Sequence, residues 1–233
     1  MHKEKSTKEL FSFEQSLKKF ASCQWDKTSL EPLVNLDYDR ECQLKDKAFA
    51  AFLKAHKVET QPNSVIPSPK PRNYRTTTKR RVSCTPEGLG FGFAGKVTPG
   101  VVETSLLEPL EHQNIYEFLQ KHLATKTYSS LARALNWLII RGTYERQFLI
   151  LNIYKMDASV VRKAKQLTEL LKKENVVEGA MLYFDPTRSE YYLETEKPPR
   201  GLQIKHLFGP KSLGLKVNDT LMRYSTTGFS QVN

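Results

Sequence analysis

Apolar positions recur at helical spacing in several stretches of the chain. Over residues 37–56, Leu44, Phe49, Phe52 and Leu53 share one face, while Lys45, Asp46, Lys47 and Lys54 fall largely elsewhere, which predicts an amphipathic helix. A shorter helix is expected over residues 9–20, carrying Leu10, Phe11, Phe13, Leu17 and Phe20. Pro109 in a favoured first-turn position and Glu111 near the positive end of the dipole open a helix over residues 110–123. Asp157 or Ser159 can cap another that runs to Glu174, with Val161, Ala164, Leu167, Leu170 and Leu171 inward.

Other stretches follow strand patterns. Residues 132–141 and 147–154 are strongly apolar and β-rich, separated by Gly142-Thr143-Tyr144-Glu145, and predict a buried hairpin. Residues 177–184, 190–195, 203–208 and 218–225 read as further short strands, and 101–105 as a short apolar segment. In residues 89–93 glycines alternate with large apolar residues. Gly90-x-Gly92 is followed by neither a correctly spaced third glycine nor Gly-Lys-Ser/Thr, so a phosphate loop is rejected in favour of close packing of backbone or ligand over a small-residue face. The expected fold class is α+β: a mainly antiparallel sheet with helices packed on one side, preceded by a helical N-terminal segment. The expected organisation is a helical segment over residues 1–60, a proline-rich linker over 61–72 containing Pro62, Pro67, Pro69 and Pro71, and an α+β domain over 73–233.

Charge adds a partner class. The 233 residues carry a formal net charge of +11, and six cations crowd into residues 70–81 without an acid: Lys70, Arg72, Arg75, Lys79, Arg80 and Arg81. Residues 70–84 read as a basic strand, either an edge whose cations block strand pairing or a surface that holds phosphates. Polyanions are the expected partners. No apolar run approaches the roughly 20 residues that span a bilayer, and no apolar segment follows the basic N-terminus as in a secretory signal. Cys23, Cys42 and Cys84 are far apart and odd in number, which suits a reducing cytoplasm, and the histidines show no metal-ligand spacing.

Tyr38 through Lys47, Asn73-Tyr74-Arg75 with Lys79-Arg80-Arg81-Val82, Leu89-Gly90-Phe91 and Phe229-Ser230-Gln231-Val232-Asn233, taken in order, resemble the RNA (uracil-5) methyltransferase family in the portion preceding its S-adenosylmethionine-binding domain. Tyr38 through Lys47 is similar to the family's Tyr…Gln-Leu…Lys helix, Asn73-Tyr74-Arg75 with Lys79-Arg80-Arg81-Val82 to its basic strand, and Leu89-Gly90-Phe91 to the strand after it. The most specific element is Phe229-Ser230-Gln231-Val232-Asn233, close to the family's Phe-x-Gln-Val-Asn. The resemblance implies that Phe229 lies in the pocket of a flipped uridine and that Gln231 contacts S-adenosylmethionine. It also implies RNA, ribosomal or transfer, as the partner, with Lys70, Arg72, Arg75, Lys79, Arg80 and Arg81 positioning its backbone and Tyr74 stacking a base.

The family's nucleophilic cysteine, carboxylate base and Asp-Leu-x-Cys-Gly-x-Gly donor loop follow this portion, and the three cysteines here lack the nucleophile's context, so no catalytic residue is assigned. The resulting expectation is an RNA-recognition part whose catalytic domain is missing from this chain, truncated or encoded separately, with S-adenosylmethionine bound only when that domain is supplied. The alternatives are a stand-alone RNA-binding protein that has lost methyl transfer and a structural subunit whose basic face meets an acidic protein surface.

Overall fold

A computed structural model of the chain describes residues 11–21, 24–26, 31–93, 95, 97–189, 203–217 and 219–228. The chain divides into two units, Met1–Pro71 and Arg72–Asn233.

The first unit is built on two helices, α1 (Phe13–Phe20) and α2 (Tyr38–Ala55). Ser12 starts α1 later than the apolar pattern suggests, because its hydroxyl accepts from the Gln15 N–H while the Gln15 side chain accepts from the Ser12 N–H, a reciprocal cap that leaves Phe11 outside the helix. Asp37 caps α2 through the Arg40 N–H. The buried core comprises Leu17, Ala21, Leu33, Leu44 and Ala48. Phe49 and Phe52 do not join it. They stack on each other at 6.3 Å with the Phe13 ring edge-on to both, and Phe49 stays 41% exposed. After α2 the extended chain is tied back to it, with the Val65 N–H donating to Asp46 and the Ser68 N–H to the Tyr38 hydroxyl.

The second unit has the expected α+β architecture. Its main sheet contains β1 (Thr77–Thr85), β2 (Gly88–Gly92), β3 (Leu135–Gly142), β4 (Gln147–Ile153), β5 (Gly179–Phe184) and β6 (Gln203–Phe208), ordered β2-β1-β3-β4-β5-β6. All neighbours run antiparallel except β4 and β5, which are parallel and joined by α5 (Ala158–Lys173). A parallel pair needs such a crossover. Helices α3 (Leu110–Leu123), α4 (Ser129–Ala134) and α5 cover one face, where Ile115, Leu119, Leu138, Leu149, Leu151 and Leu167 are fully or almost fully buried. On the opposite face Trp137, Ile139, Phe148, Ile150, Met181 and Tyr183 are closed over by Leu213 and Tyr224 from a separate hairpin, β7 (Ser212–Val217) with β8 (Thr220–Ser225). Burial on both faces explains why β3 and β4 read as continuous apolar runs.

Several expectations change. The strand anticipated over residues 132–141 begins at Leu135, because residues 129–134 form α4, a turn of good helix formers that buries Leu131, Ala132 and Ala134. The 101–105 segment contributes a single bridge, Phe91 to Val102. The buried stripe of α5 runs through Val160, Ala164, Leu167 and Leu171, leaving Val161 and Leu170 at its margin. Strand β7 adds an element to the expected set, and the strand anticipated over residues 190–195 lies outside the described residues. Among the described residues no helix is long and apolar enough to cross a membrane.

Candidate nucleic-acid interface

Strand β1 sorts its side chains by parity, as any strand must. The basic run does not form one strand from Lys70 onward: the regular ladder starts only at Thr77, after Pro69 and Pro71, which lack an N–H, and Asn73, which turns with a φ of +56°. Before it, the Asn73 and Arg75 N–H groups donate to the Leu106 and Leu107 carbonyls just ahead of α3. Arg75 is exposed, and Arg72 and Tyr74 are half-buried; exposed Lys70 belongs to the first unit.

Thr78, Arg80 and Val82 face the helices. The Thr78 hydroxyl lies 2.9 Å from both His112 Nδ1 and the Tyr116 hydroxyl. Arg80, expected among the phosphate contacts, is only 1% exposed and makes a two-pronged ion pair with Glu108. Its Nε donates to the Glu103 carbonyl at 2.8 Å, and its guanidinium lies 4.0 Å from the centre of the Phe93 ring. A buried cation is tolerable only when paired and hydrogen-bonded, and these contacts do both. Arg80 is therefore a structural residue. His112, fully buried in the same layer, has its pKa pushed down to about 4 by burial and then by the Arg80 charge.

Lys79, Arg81, Ser83 and Thr85 point the other way. Lys79 Nζ stands 4.8 Å from the centre of the Trp137 ring and the Arg81 guanidinium 5.6 Å from it, so one indole on β3 seats both half-exposed cations. Trp137 is itself fixed, its Nε1 donating to the Ser189 carbonyl at 3.2 Å. The glycines of β2 lie directly across from this row: Gly92 opposite Arg81, Gly90 opposite Ser83 and Gly88 opposite Thr85. Residues 97–100 fold down onto them. A Cβ on Gly90 would come within 2.1 Å of the Thr98 carbonyl oxygen, so the small-residue face admits backbone, as the alternating pattern implied. Gly90→Ala should destabilise the fold by about 1–3 kcal/mol, measured by urea denaturation, since the loop must lift to make room; a variant as stable as the parent would mean that the loop does not rest there.

Phe229 and Gln231 lie outside the described residues. The chain leading to them is held by a residue that carried no sequence signal beyond being a cation within an apolar strand: buried Arg141 on β3 donates to the Thr226 and Gly228 carbonyls. Among the described residues no group of His, Cys, Asp or Glu could hold a metal ion.

Comparison with solved structures gives several matches in fold. The chain superposes on the Pyrococcus abyssi tRNA (uracil-54, C5)-methyltransferase, solved in complex with S-adenosyl-L-homocysteine, with a TM-score of 0.54 and 16% identity over 90% of this chain. The likeness is one of fold. The chain spans about half of that enzyme, covering 48% of it. No protein-family profile matches the chain, and no curated protein matches it by sequence.

Proposed function

We propose that this chain is the RNA-recognition part of an S-adenosylmethionine-dependent RNA (uracil-5) methyltransferase, acting in the cytoplasm on transfer or ribosomal RNA with a catalytic domain supplied separately. The observation that carries the reading is the row of outward cations on β1, Lys79 and Arg81, seated on Trp137 on the sheet face opposite the helices. Cations held on an aromatic surface lose less side-chain freedom when they meet a phosphate, so they favour a backbone contact over a purely solvated edge. The fold shared with part of a tRNA uracil methyltransferase supports RNA as the polyanion.

In this reading Lys79 and Arg81, with Arg72 and Arg75 from the preceding segment, hold phosphates, and Tyr74 stacks a base. Lys70 is a further candidate phosphate contact, and Arg80 leaves the set. Phe229 and Gln231 keep the roles that the resemblance implies, toward the target uridine and the methyl donor. The donor supplies the methyl group when bound, and the nucleophile belongs to the other domain.

Binding to a structured RNA should weaken steeply with salt, the logarithm of the affinity falling by about 0.9 per neutralised phosphate for each log unit of salt. Lys79→Ala with Arg81→Ala should bring that slope closer to zero by about 2, as two lost phosphate contacts would. Fluorescence titration at several salt concentrations measures it. A double variant that binds with the parent's slope would place the interface elsewhere. Adding a separately expressed catalytic domain to a methyl-transfer assay on uridine-containing RNA distinguishes the recognition part from a stand-alone RNA binder, which would remain inactive.

A further inference from the structure

We propose that the half of β1 beyond Arg81 forms the floor of a groove that takes one nucleotide of an RNA strand and reads its ribose; this rests on the RNA reading above. The groove is open, about 460 Å³ in volume, and its lining includes Arg81, Ser83, Thr85, Glu87, Val97 and Pro99. That volume falls within the roughly 300–1,000 Å³ of small-ligand sites.

Its shape follows from the sequence. Arg81, Ser83 and Thr85 alternate along one strand face, so a cation and two hydroxyls stand in line at about 7 Å intervals. Across from them β2 offers only Gly92, Gly90 and Gly88, and with no side chains there the loop bearing Val97 and Pro99 settles onto β2 and becomes a wall. Larger residues at the glycine positions would push that loop off β2 and remove the wall.

The chemistry fits a ribonucleotide better than a deoxynucleotide. Arg81 offers a planar fork to a phosphate, and Val97 and Pro99 offer apolar surface to the sugar and base. Ser83 and Thr85 can donate to or accept from a sugar hydroxyl, and the fully exposed Glu87 carboxylate is an acceptor beside them. The Thr85 hydroxyl, whose one proton is shared between Glu87 and the Gly88 carbonyl at 3.4 Å, holds the Glu87 carboxyl below its usual range. A ribose 2′-hydroxyl both donates and accepts, and can therefore donate to the Glu87 carboxylate while accepting from the Ser83 hydroxyl; a deoxyribose cannot.

The test compares single-stranded RNA and DNA of one sequence, bound by the full chain and by Ser83→Ala/Thr85→Val, Glu87→Gln and Arg81→Ala. The parent should prefer RNA by about tenfold, the size of a well-made hydrogen bond to a charged group. The hydroxyl double variant and Glu87→Gln should each lose most of that preference by weakening RNA alone, whereas Arg81→Ala should weaken both polymers. All four substitutions are on the groove surface, and thermal melts check that the variants remain folded. Failure of the parent to bind either polymer overturns the groove and the RNA reading together. Binding of RNA with the preference unchanged in the hydroxyl and Glu87 variants overturns the groove alone.

Discussion

Glu108→Ala should cost about 3–5 kcal/mol of unfolding free energy, the largest single-residue effect expected in the second unit outside the hydrophobic core. The reason is what it leaves behind. Arg80 lies on β1 under the helices, 1% exposed, and its guanidinium would lose both oxygens of the Glu108 carboxylate while remaining enclosed by Phe93 and Tyr116. Arg80→Ala should be comparably damaging, because it strands the Glu108 carboxylate and empties the space of a long side chain. Replacing the pair together, Arg80→Met with Glu108→Leu, removes both charges at similar volume and should recover most of the loss. Urea denaturation of the two single variants and the double variant measures this, with Lys79→Ala as a surface control expected within about 0.5 kcal/mol of the parent. If the double variant is no better than the singles, the site's energetics lie in packing and not in the ion pair. Loss of RNA binding in a variant that combines Arg80→Ala with Arg81→Ala would therefore report a damaged fold, whereas on β1 the Lys79 and Arg81 variants interrogate the surface.

The burial of Arg80 was hard to see in the sequence for a definite reason. Thr78, Arg80 and Val82 form the inward face of β1, and only Val82 is apolar, so alternation gave no hydrophobic stripe to mark which side was inside. The partner, Glu108, is 28 residues away and comes from the segment leading into α3. Nothing local could have announced the pair. The helices with local signals were legible: the 37–56 pattern is α2, Asp157, one of the two expected caps, caps α5, and α3 spans Leu110–Leu123 as expected from Pro109. Strand β7, with Gly214 in its middle and Lys216 near its end, has weak intrinsic preference and depends on pairing with β8, so it left little trace.

The candidate site divides in the same way. The cations of β1 and the small-residue face of β2 could be read from residue type and spacing. The Trp137 seat, the loop resting on Gly90 and the Arg141 grip on the Thr226 and Gly228 carbonyls all bring together residues from distant parts of the chain. Arg141 matters most for the ending. It ties the Thr226 and Gly228 carbonyls to β3 in the middle of the sheet.

His112 should make stability depend on pH. Its ring is fully buried, with Nδ1 against the Thr78 hydroxyl and the Arg80 cation in the same layer, and its pKa is about 4 in the fold against 6.5 for the ordinary side chain. A lowered value means that the fold prefers neutral imidazole. The stability tied to that preference is present above pH 6.5, is lost progressively as the pH falls and the unfolded chain takes up a proton, and is gone once the pH passes below about 4. A drop from 6.5 to about 4, at roughly 1.4 kcal/mol for each pH unit, amounts to about 3 kcal/mol. The carboxylates also titrate toward the acid end of this window, so the informative quantity is the difference between the parent and His112→Leu, which cannot take up the proton and leaves Thr78 with the Tyr116 hydroxyl as a partner. Denaturation series from pH 8 to pH 4 should show the parent losing about 3 kcal/mol more than the variant. Parallel curves would show that this histidine carries its proton as readily in the fold as in the unfolded chain, and the buried layer around Arg80 would then have to admit a second cation.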